Sequence, residues 1–270
     1  MHPRVCLHQI ALMKESTTAF IELCREIGVP NMTLATPFIA QQPGGIETIK
    51  QALAKGGPRV AVVNHPFAVF PNLEQDHGEA SEKLLQAIDL TAALGAKSMY
   101  LLTGGRGALS WEHAARRFAD LLAPSQIAAH EKGVTLMIEN ASPFNVDIHI
   151  AHTLADTIQL AEMTGISVCV DLQPCFSEAN LSQLFRRALP IAGLVQVSDY
   201  VLGDRVAPCR AVPGDGVVPL EQLIGDLLDA GYQGLFDLEL VGPRINEEGG
   251  AVASKRATAW LSELLTKLGA

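Results

Sequence analysis

The feature that most restricts the fold of this sequence is a glycine that recurs at the end of one helix-like stretch after another. At seven places an apolar-periodic stretch ends at glycine, and a short β-rich run begins almost at once. Glycine just past a helix adopts the left-handed conformation without strain from a Cβ atom. The seven stops are Gly28, Gly56/Gly57, Gly95, Gly133, Gly165, Gly193 and Gly231. They divide the chain into eight segments of roughly 30 to 40 residues, a spacing typical of repeated βα units.

The β-rich runs are largely continuous apolar stretches, as expected for parallel strands that are buried on both faces. They are predicted at 4–8, 31–36, 59–65, 97–103, 134–140, 167–172, 194–199 and 234–240. Amphipathic stretches at 78–94 and 110–130 are predicted to be helices. Eight βα units predict an α/β fold, a single-domain (β/α)8 TIM barrel over residues 1–270. An open doubly wound sheet is the alternative, but no GxGxxG follows the first strand.

Composition narrows the classes of function. The net charge is −9 and no cluster of lysine and arginine is present, which argues against nucleic acid as a partner. The five cysteines are scattered and form no CxxC pair, as is typical of reduced thiols in a cytoplasmic protein. We expect neither a signal peptide nor a membrane span, because the N-terminus and the rest of the sequence lack apolar runs of the required length.

Polar residues at the strand ends are the candidates for function, because barrels of this kind carry their sites at the C-terminal ends of the strands. Side chains alternate between the two faces of a strand. In "VTLMIEN" the aliphatic face suits the helix layer, so Glu139 is predicted to face the barrel interior. The same reasoning turns Asp171, Gln196 and Glu239 inward on the sixth, seventh and eighth strands.

Three carboxylates that converge in one cavity repel one another strongly. Either their pKa values rise or a cation lies among them. Four oxygen ligands suit one hard divalent ion, Mg²⁺ or Mn²⁺, with water or substrate at the remaining positions. The alternative is four polar residues that are hydrogen-bonded to loop backbone. Their occurrence on four consecutive strands at matching depth favours the metal site.

Four histidines lie near the predicted strand ends. His8 ends the first strand and His65 ends the third, and each either contacts substrate or packs in the core. His149 and His152 lie in or near the loop after the fifth strand. For these two, loop packing and substrate contact are both open.

Three arginines lie in the loops that follow predicted strands. Arg106 follows the fourth strand within "TGGRG" and is a candidate for substrate contact. Arg205 and Arg210 follow the seventh strand. They either bind an anionic or polyhydroxyl substrate or pair with Asp204 and Asp215.

The segments "LMIEN", "VCVDL", "VQVSDY", "VPGDGVVPL" and "FDLEL" resemble the sugar phosphate isomerase/epimerase family, the xylose-isomerase-like TIM barrels. The resemblance implies one divalent metal held by Glu139, Asp171, Gln196 and Glu239. Two positions depart from the family pattern. Gln196 stands where the family usually has a metal-binding histidine, and Pro174 stands where it often has a substrate-contacting histidine. A glutamine oxygen in place of imidazole shifts the expected preference from Zn²⁺ towards Mg²⁺ or Mn²⁺.

These residues predict a divalent-metal-dependent isomerase or epimerase that acts on a sugar or a related polyhydroxy or keto substrate through an enediolate. As the resemblance implies, Glu139 and Glu239 would remove and return the proton. His65, Arg106, Arg205 and His8 would bind the substrate. A lyase or dehydratase that uses the same enolate is the first alternative, and a non-catalytic binding protein is the second. An abasic-site endonuclease is disfavoured because the site has few histidines and the chain is acidic. By analogy with the family, we expect a small-molecule substrate and a homodimer.

Overall fold

A computed structural model describes residues 1–270 and shows a closed barrel of eight parallel strands in sequence order. Each strand pairs with the next one along the chain, and the eighth strand pairs with the first. The strands are β1 (Val5–His8), β2 (Asn31–Ala35), β3 (Arg59–Pro66), β4 (Ser98–Leu102), β5 (Thr135–Glu139), β6 (Ser167–Asp171), β7 (Ala192–Val197) and β8 (Leu235–Leu238). The prediction of a single (β/α)8 barrel is confirmed.

Helices connect the strands. They are α1 (Thr17–Ile27), α2 (Thr36–Ala40), α3 (Gly45–Ala54), α4 (Glu79–Ala93), α5 (Trp111–Glu131), α6 (Leu154–Thr164), α7 (Leu172–Cys175), α8 (Leu181–Ala188), α9 (Leu220–Asp229), α10 (Pro243–Glu248) and α11 (Gly250–Lys267). Ser110 caps α5 by accepting a hydrogen bond from the backbone N–H of His113. None of these helices has both the length and the apolar character needed to cross a membrane.

Two of the glycine stops illustrate what the sequence pattern predicts correctly and where it fails. Gly28 ends α1 in the left-handed conformation, with a φ of 78°. Gly193 was predicted as a helix stop, and this is wrong, because it lies inside β7. The pairing with β6 shifts at this residue, and a Cβ atom there would lie 2.6 Å from the sulfur of Met137. Gly193 therefore forms a bulge that leaves room for a side chain of the barrel interior.

The barrel interior contains a small apolar layer that is separate from the large core between the strands and the helices. We call it the inner apolar layer; it consists of Val62, Tyr100, Met137, Cys169 and Leu194. All of these residues are buried. Residues two positions further along each strand face the same way. The next inward positions on β5, β6 and β7 are therefore those of the predicted polar residues, directly above an apolar base.

Candidate active site

Three carboxylates meet at the C-terminal end of the barrel. Glu139 is the last residue of β5, Asp171 is the last residue of β6, and Glu239 directly follows β8. All three are buried, and one oxygen from each lies within 4.8 Å of the others. The side chain of Asn140 fixes the backbone of Asp171, accepting from its N–H at 2.8 Å and donating to its carbonyl at 2.9 Å. The strand ends thus bring together three of the four predicted metal ligands.

Gln196, the fourth predicted ligand, lies beside these carboxylates on β7. It pairs in register with Asp171 on one side and with Asp237 on the other. Its side chain is fully buried, yet neither the amide oxygen nor the amide nitrogen has a hydrogen-bond partner. A buried amide without partners carries a substantial desolvation cost. The oxygen of Gln196 is therefore free to accept a further contact.

Arg210 is the member of the cluster whose role the sequence left open. Its Nη2 lies 2.5 Å from Asp171 Oδ2, 2.5 Å from Glu239 Oε2 and 4.0 Å from Glu139 Oε1. Its Nη1 donates to Asp171 Oδ1 at 3.1 Å and to Ser198 Oγ at 2.9 Å. The guanidinium thus contacts all three carboxylates. The one indication of such a cation in the sequence is the predicted convergence of three carboxylates, which leaves buried negative charge unbalanced.

The alternative pairing of the arginines with Asp204 and Asp215 is wrong. Asp204 forms a two-point ion pair with Arg244. Asp215 pairs in the same way with Arg256. Both of these pairs are partly exposed, whereas the pair of Arg210 with Asp171 is buried.

The loop that carries Arg210 is held in place by the buried carboxylate of Asp199. Its Oδ1 accepts hydrogen bonds from the backbone N–H groups of Tyr200 and Val218, at 2.8 and 3.0 Å. Its Oδ2 accepts from those of Gly214 and Gly216, each at 2.9 Å. Two backbone hydrogen bonds between residues 199 and 211, each 2.9 Å long, close the loop beside Arg210. Asp199 therefore positions the backbone from which Arg210 reaches the cluster.

The burial of like charges shifts the acid–base equilibria of the site. Burial, together with the nearby charges of Glu239 and Asp171, raises the pKa of Glu139 well above its usual range. Burial also raises the pKa of Asp171, although Arg210 opposes this effect. Asp237, in register with Gln196 on β8, has neither oxygen hydrogen-bonded, and its burial raises its pKa to about 7. A cluster of this kind favours either bound protons or additional positive charge.

His8 and Tyr100 form a hydrogen-bonded chain that ends at Glu239. His8 Nδ1 accepts from the backbone N–H of Ile10 at 2.9 Å, so the proton of the neutral ring is on Nε2. Nε2 lies 2.8 Å from the hydroxyl of Tyr100, which donates to Glu239 Oε1 at 3.4 Å. Burial and the charge of Arg210 lower the pKa of His8 to about 3, so the ring is neutral near pH 7. Substrate contact by His8 stays a prediction, and the contacts observed orient Glu239.

His65 occupies a different environment. It lies in register with Leu101, a residue of the core between the strands and the helices, whereas its neighbour Asn64 pairs with Tyr100 of the inner apolar layer. His65 Nδ1 is 2.9 Å from Thr36 Oγ1, and Nε2 is buried without a partner. The ring lines an apolar cavity of about 710 Å³ between α2, α3 and α4. Contact between His65 and a substrate above the carboxylates stays a prediction.

The remaining candidates lie in the loops. Arg106 and Arg205 are exposed after β4 and β7, and neither side chain forms a hydrogen bond or an ion pair. His149 is buried, with Nδ1 3.3 Å from Thr103 Oγ1. His152 Nδ1 lies 3.2 Å from the carbonyl of Ser142. These contacts favour loop packing for both histidines.

The fold and the carboxylate cluster together define a (β/α)8 barrel protein with a candidate acidic metal site at the C-terminal ends of its strands. The family described as xylose isomerase-like TIM barrel matches residues 20–264. The chain belongs to this family.

Three comparisons illustrate the similarity. Fructoselysine 3-epimerase of Shigella flexneri is 24% identical over 223 residues, which cover 76% of each chain. The crystal structure of the IOLI protein with a bound zinc atom superposes with a TM-score of 0.83 at 14% identity, over 98% of this chain and 99% of that one. D-psicose 3-epimerase of Clostridium cellulolyticum H10, solved with D-tagatose, superposes with a TM-score of 0.78 at 15% identity, over 98% and 99% of the two chains.

Proposed function

We propose that this protein is a divalent-metal-dependent isomerase or epimerase that acts on a sugar or a related polyhydroxy ketone. The observation that carries the proposal is the cluster of Glu139, Asp171 and Glu239, buried together at the C-terminal ends of the strands. Relatives that are sugar epimerases support an enzyme of this kind. In such a reaction a base removes the proton next to a carbonyl group, and the resulting enediolate is reprotonated.

The residues present fit a divalent ion. The three carboxylates face a single guanidinium, so two negative charges are left without a counterion when all three are ionised. One oxygen of Glu139 and the amide oxygen of Gln196 have no hydrogen-bond partner. Glu139, Asp171, Gln196 and Glu239 would hold the ion, and their oxygen atoms favour Mg²⁺ or Mn²⁺. When bound, the ion would supply electrophilic stabilisation to the oxygens of an enediolate.

Glu139 and Glu239 are proposed as the two acid–base groups, one from each side of the cluster. One oxygen of Glu139 has no hydrogen-bond partner, so it is available to take up a proton. Glu239 accepts from Tyr100, which limits the orientations open to its carboxylate. The inner apolar layer below would keep water from approaching the proton in transit from that side.

Substrate recognition is proposed for the exposed arginines of the loops around the site. Arg106 and Arg205 have no partner within the protein, so both are available to polar or anionic groups of a ligand. Their substitution by glutamine would raise KM more than it lowers kcat if they contribute only to substrate binding.

The proposal is tested by incubating the protein with Mn²⁺ and a panel of ketoses in D₂O. We expect deuterium at the carbon next to the carbonyl group and a product whose formula is otherwise unchanged. Loss of water or of an aglycone would identify a lyase instead. The Glu139→Gln and Glu239→Gln variants should each lose about a hundredfold or more in turnover. Full turnover in both variants would refute the assigned roles.

A further inference from the structure

Arg210 contacts the same carboxylates that would hold a divalent ion. A single nitrogen of its guanidinium lies 2.5 Å from an oxygen of Asp171 and 2.5 Å from an oxygen of Glu239. No other lysine or arginine nitrogen lies within 4.0 Å of the three carboxylates. Any ion bound by this cluster must therefore share these oxygens with a positive charge or take them over.

Sharing the oxygens is unfavourable. A guanidinium and a divalent ion repel each other, and the repulsion is strong at short distance in a buried site. Both also require short, directed contacts to the lone pairs of the same oxygens. The closest contacts of the cluster can therefore serve one cation at a time.

The loop allows the side chain to move while its backbone stays in place. Asp199 accepts four backbone hydrogen bonds from the loop, and the backbone N–H of Arg210 donates to the carbonyl of Val241 at 3.1 Å. The guanidinium is linked to this fixed backbone by several rotatable bonds and retains 12% exposure to solvent. Rotation of the side chain alone is enough to leave the cluster.

We propose that Arg210 is an internal counter-cation that competes with the divalent ion for the carboxylates. In the metal-free protein it holds Glu139, Asp171 and Glu239 together. When the ion binds, Arg210 gives up its contacts to Asp171 and Glu239. This inference rests on the proposed function, because it requires that the cluster binds a metal.

The competition has a measurable consequence. Removal of Arg210 should tighten metal binding, although it also removes a stabilising ion pair from the metal-free protein. A residue that merely supports the structure of the site would give the opposite result, since its loss would weaken metal binding. The sign of the change in Kd therefore distinguishes the two roles.

The test is isothermal titration calorimetry, in which Mn²⁺ alone is added to the full-length, chelator-treated protein. For Arg210→Gln we expect a Kd about ten- to a hundredfold lower than that of the wild type. Its metal-free form should unfold at a lower temperature, and saturating Mn²⁺ should raise that temperature by more than in the wild type. Arg244→Gln is the matched control, because it removes the same charge from a partly exposed ion pair at the start of α10. Its Kd should stay within about twofold of the wild-type value.

A second variant covers the case in which metal-free Arg210→Gln does not fold. Arg210→Lys keeps the charge but replaces the planar fork by a point charge, so its Kd should lie between those of the wild type and Arg210→Gln. If the wild type binds Mn²⁺ and both variants bind it as weakly as the wild type or more weakly, the proposed competition is overturned. The proposed function is not affected by that result. Absence of Mn²⁺ binding in all of the proteins overturns the metal dependence of the proposed function, and the competition with it.

Discussion

The buried carboxylate of Asp199 gives the sharpest prediction about how the loop after β7 is held. The change to test is Asp199→Asn, which preserves the shape of the side chain and replaces one carboxylate oxygen by an NH₂ group. The wild-type carboxylate accepts four hydrogen bonds from backbone N–H groups, two at each oxygen. Asparagine in either orientation can accept at only one of these two positions. Its NH₂ group would then face two backbone donors.

The expected loss follows from these contacts. Hydrogen bonds to a charged acceptor contribute about 1.5 to 3 kcal/mol each, so two lost bonds correspond to about 3 to 6 kcal/mol. Partial relaxation of the loop reduces this value, and we expect the free energy of unfolding to fall by about 3 to 5 kcal/mol. If the loop opens locally instead, the loss is smaller but the segment 200–218 becomes sensitive to protease.

The assay is urea denaturation of wild type and variant at the same pH, with limited proteolysis in parallel. Asp204→Asn is the matched control, because Asp204 lies in the same loop and forms a partly exposed pair with Arg244. It should cost less than about 1 kcal/mol. The reasoning is refuted if Asp199→Asn stays within about 1 kcal/mol of the wild type and its loop resists protease as well as before.

Three further predictions concern packing and acid stability. A Cβ atom at Gly193 would lie 2.6 Å from the sulfur of Met137, so Gly193→Ala should lower the free energy of unfolding by about 1 to 3 kcal/mol in urea denaturation. Gly225 lies inside α9 with open space around it, so Gly225→Ala should raise the free energy of unfolding by up to about 1 kcal/mol. A lower free energy of unfolding in Gly225→Ala would contradict the expected difference between this open position and the crowded Gly193. Burial lowers the pKa of His149 from 6.5 to about 3, so below pH 6.5 the unfolded chain binds a proton that the folded protein does not. This group should reduce the free energy of unfolding by up to about 1.4 kcal/mol per pH unit as the pH falls from 6.5 towards 3. Denaturation at several pH values should show that the free energy of unfolding depends less steeply on pH in His149→Asn. An unchanged pH dependence would reject the assignment of this effect to His149.

The sequence predicts the barrel and much of the candidate site because both depend on local periodicity. Alternation along the strands is enough to turn Glu139 and Asp171 towards the same interior, and the structure brings their oxygens together. Gln196 faces the interior by the same alternation, whereas its register with Asp171 depends on the bulge at Gly193. Had the same alternation been applied to β3, it would have turned Asn64 inward and His65 towards the helices.

Other features depend on contacts between distant parts of the chain. Arg210 reaches the carboxylates because Asp199 holds the loop in a conformation that returns to the strand ends. The periodicity of the sequence does not predict this loop conformation. The position of Gly193 was mistaken because a glycine in a strand bulge and a glycine after a helix look alike in one sequence. The structure distinguishes the two cases, because Gly193 lies inside β7 at a register shift and packs against Met137.

The segment 199–218 has a consequence for protein engineering. It contains both the carboxylate that fixes the shape of the loop and the arginine that contacts the carboxylate cluster, so one contiguous segment carries both features. A chimaera that exchanges the whole segment for that of another barrel would exchange the shape and the charge together. A junction placed between Asp199 and Arg210 would separate them. The recipient barrel would then receive Arg210 without the carboxylate that positions its loop.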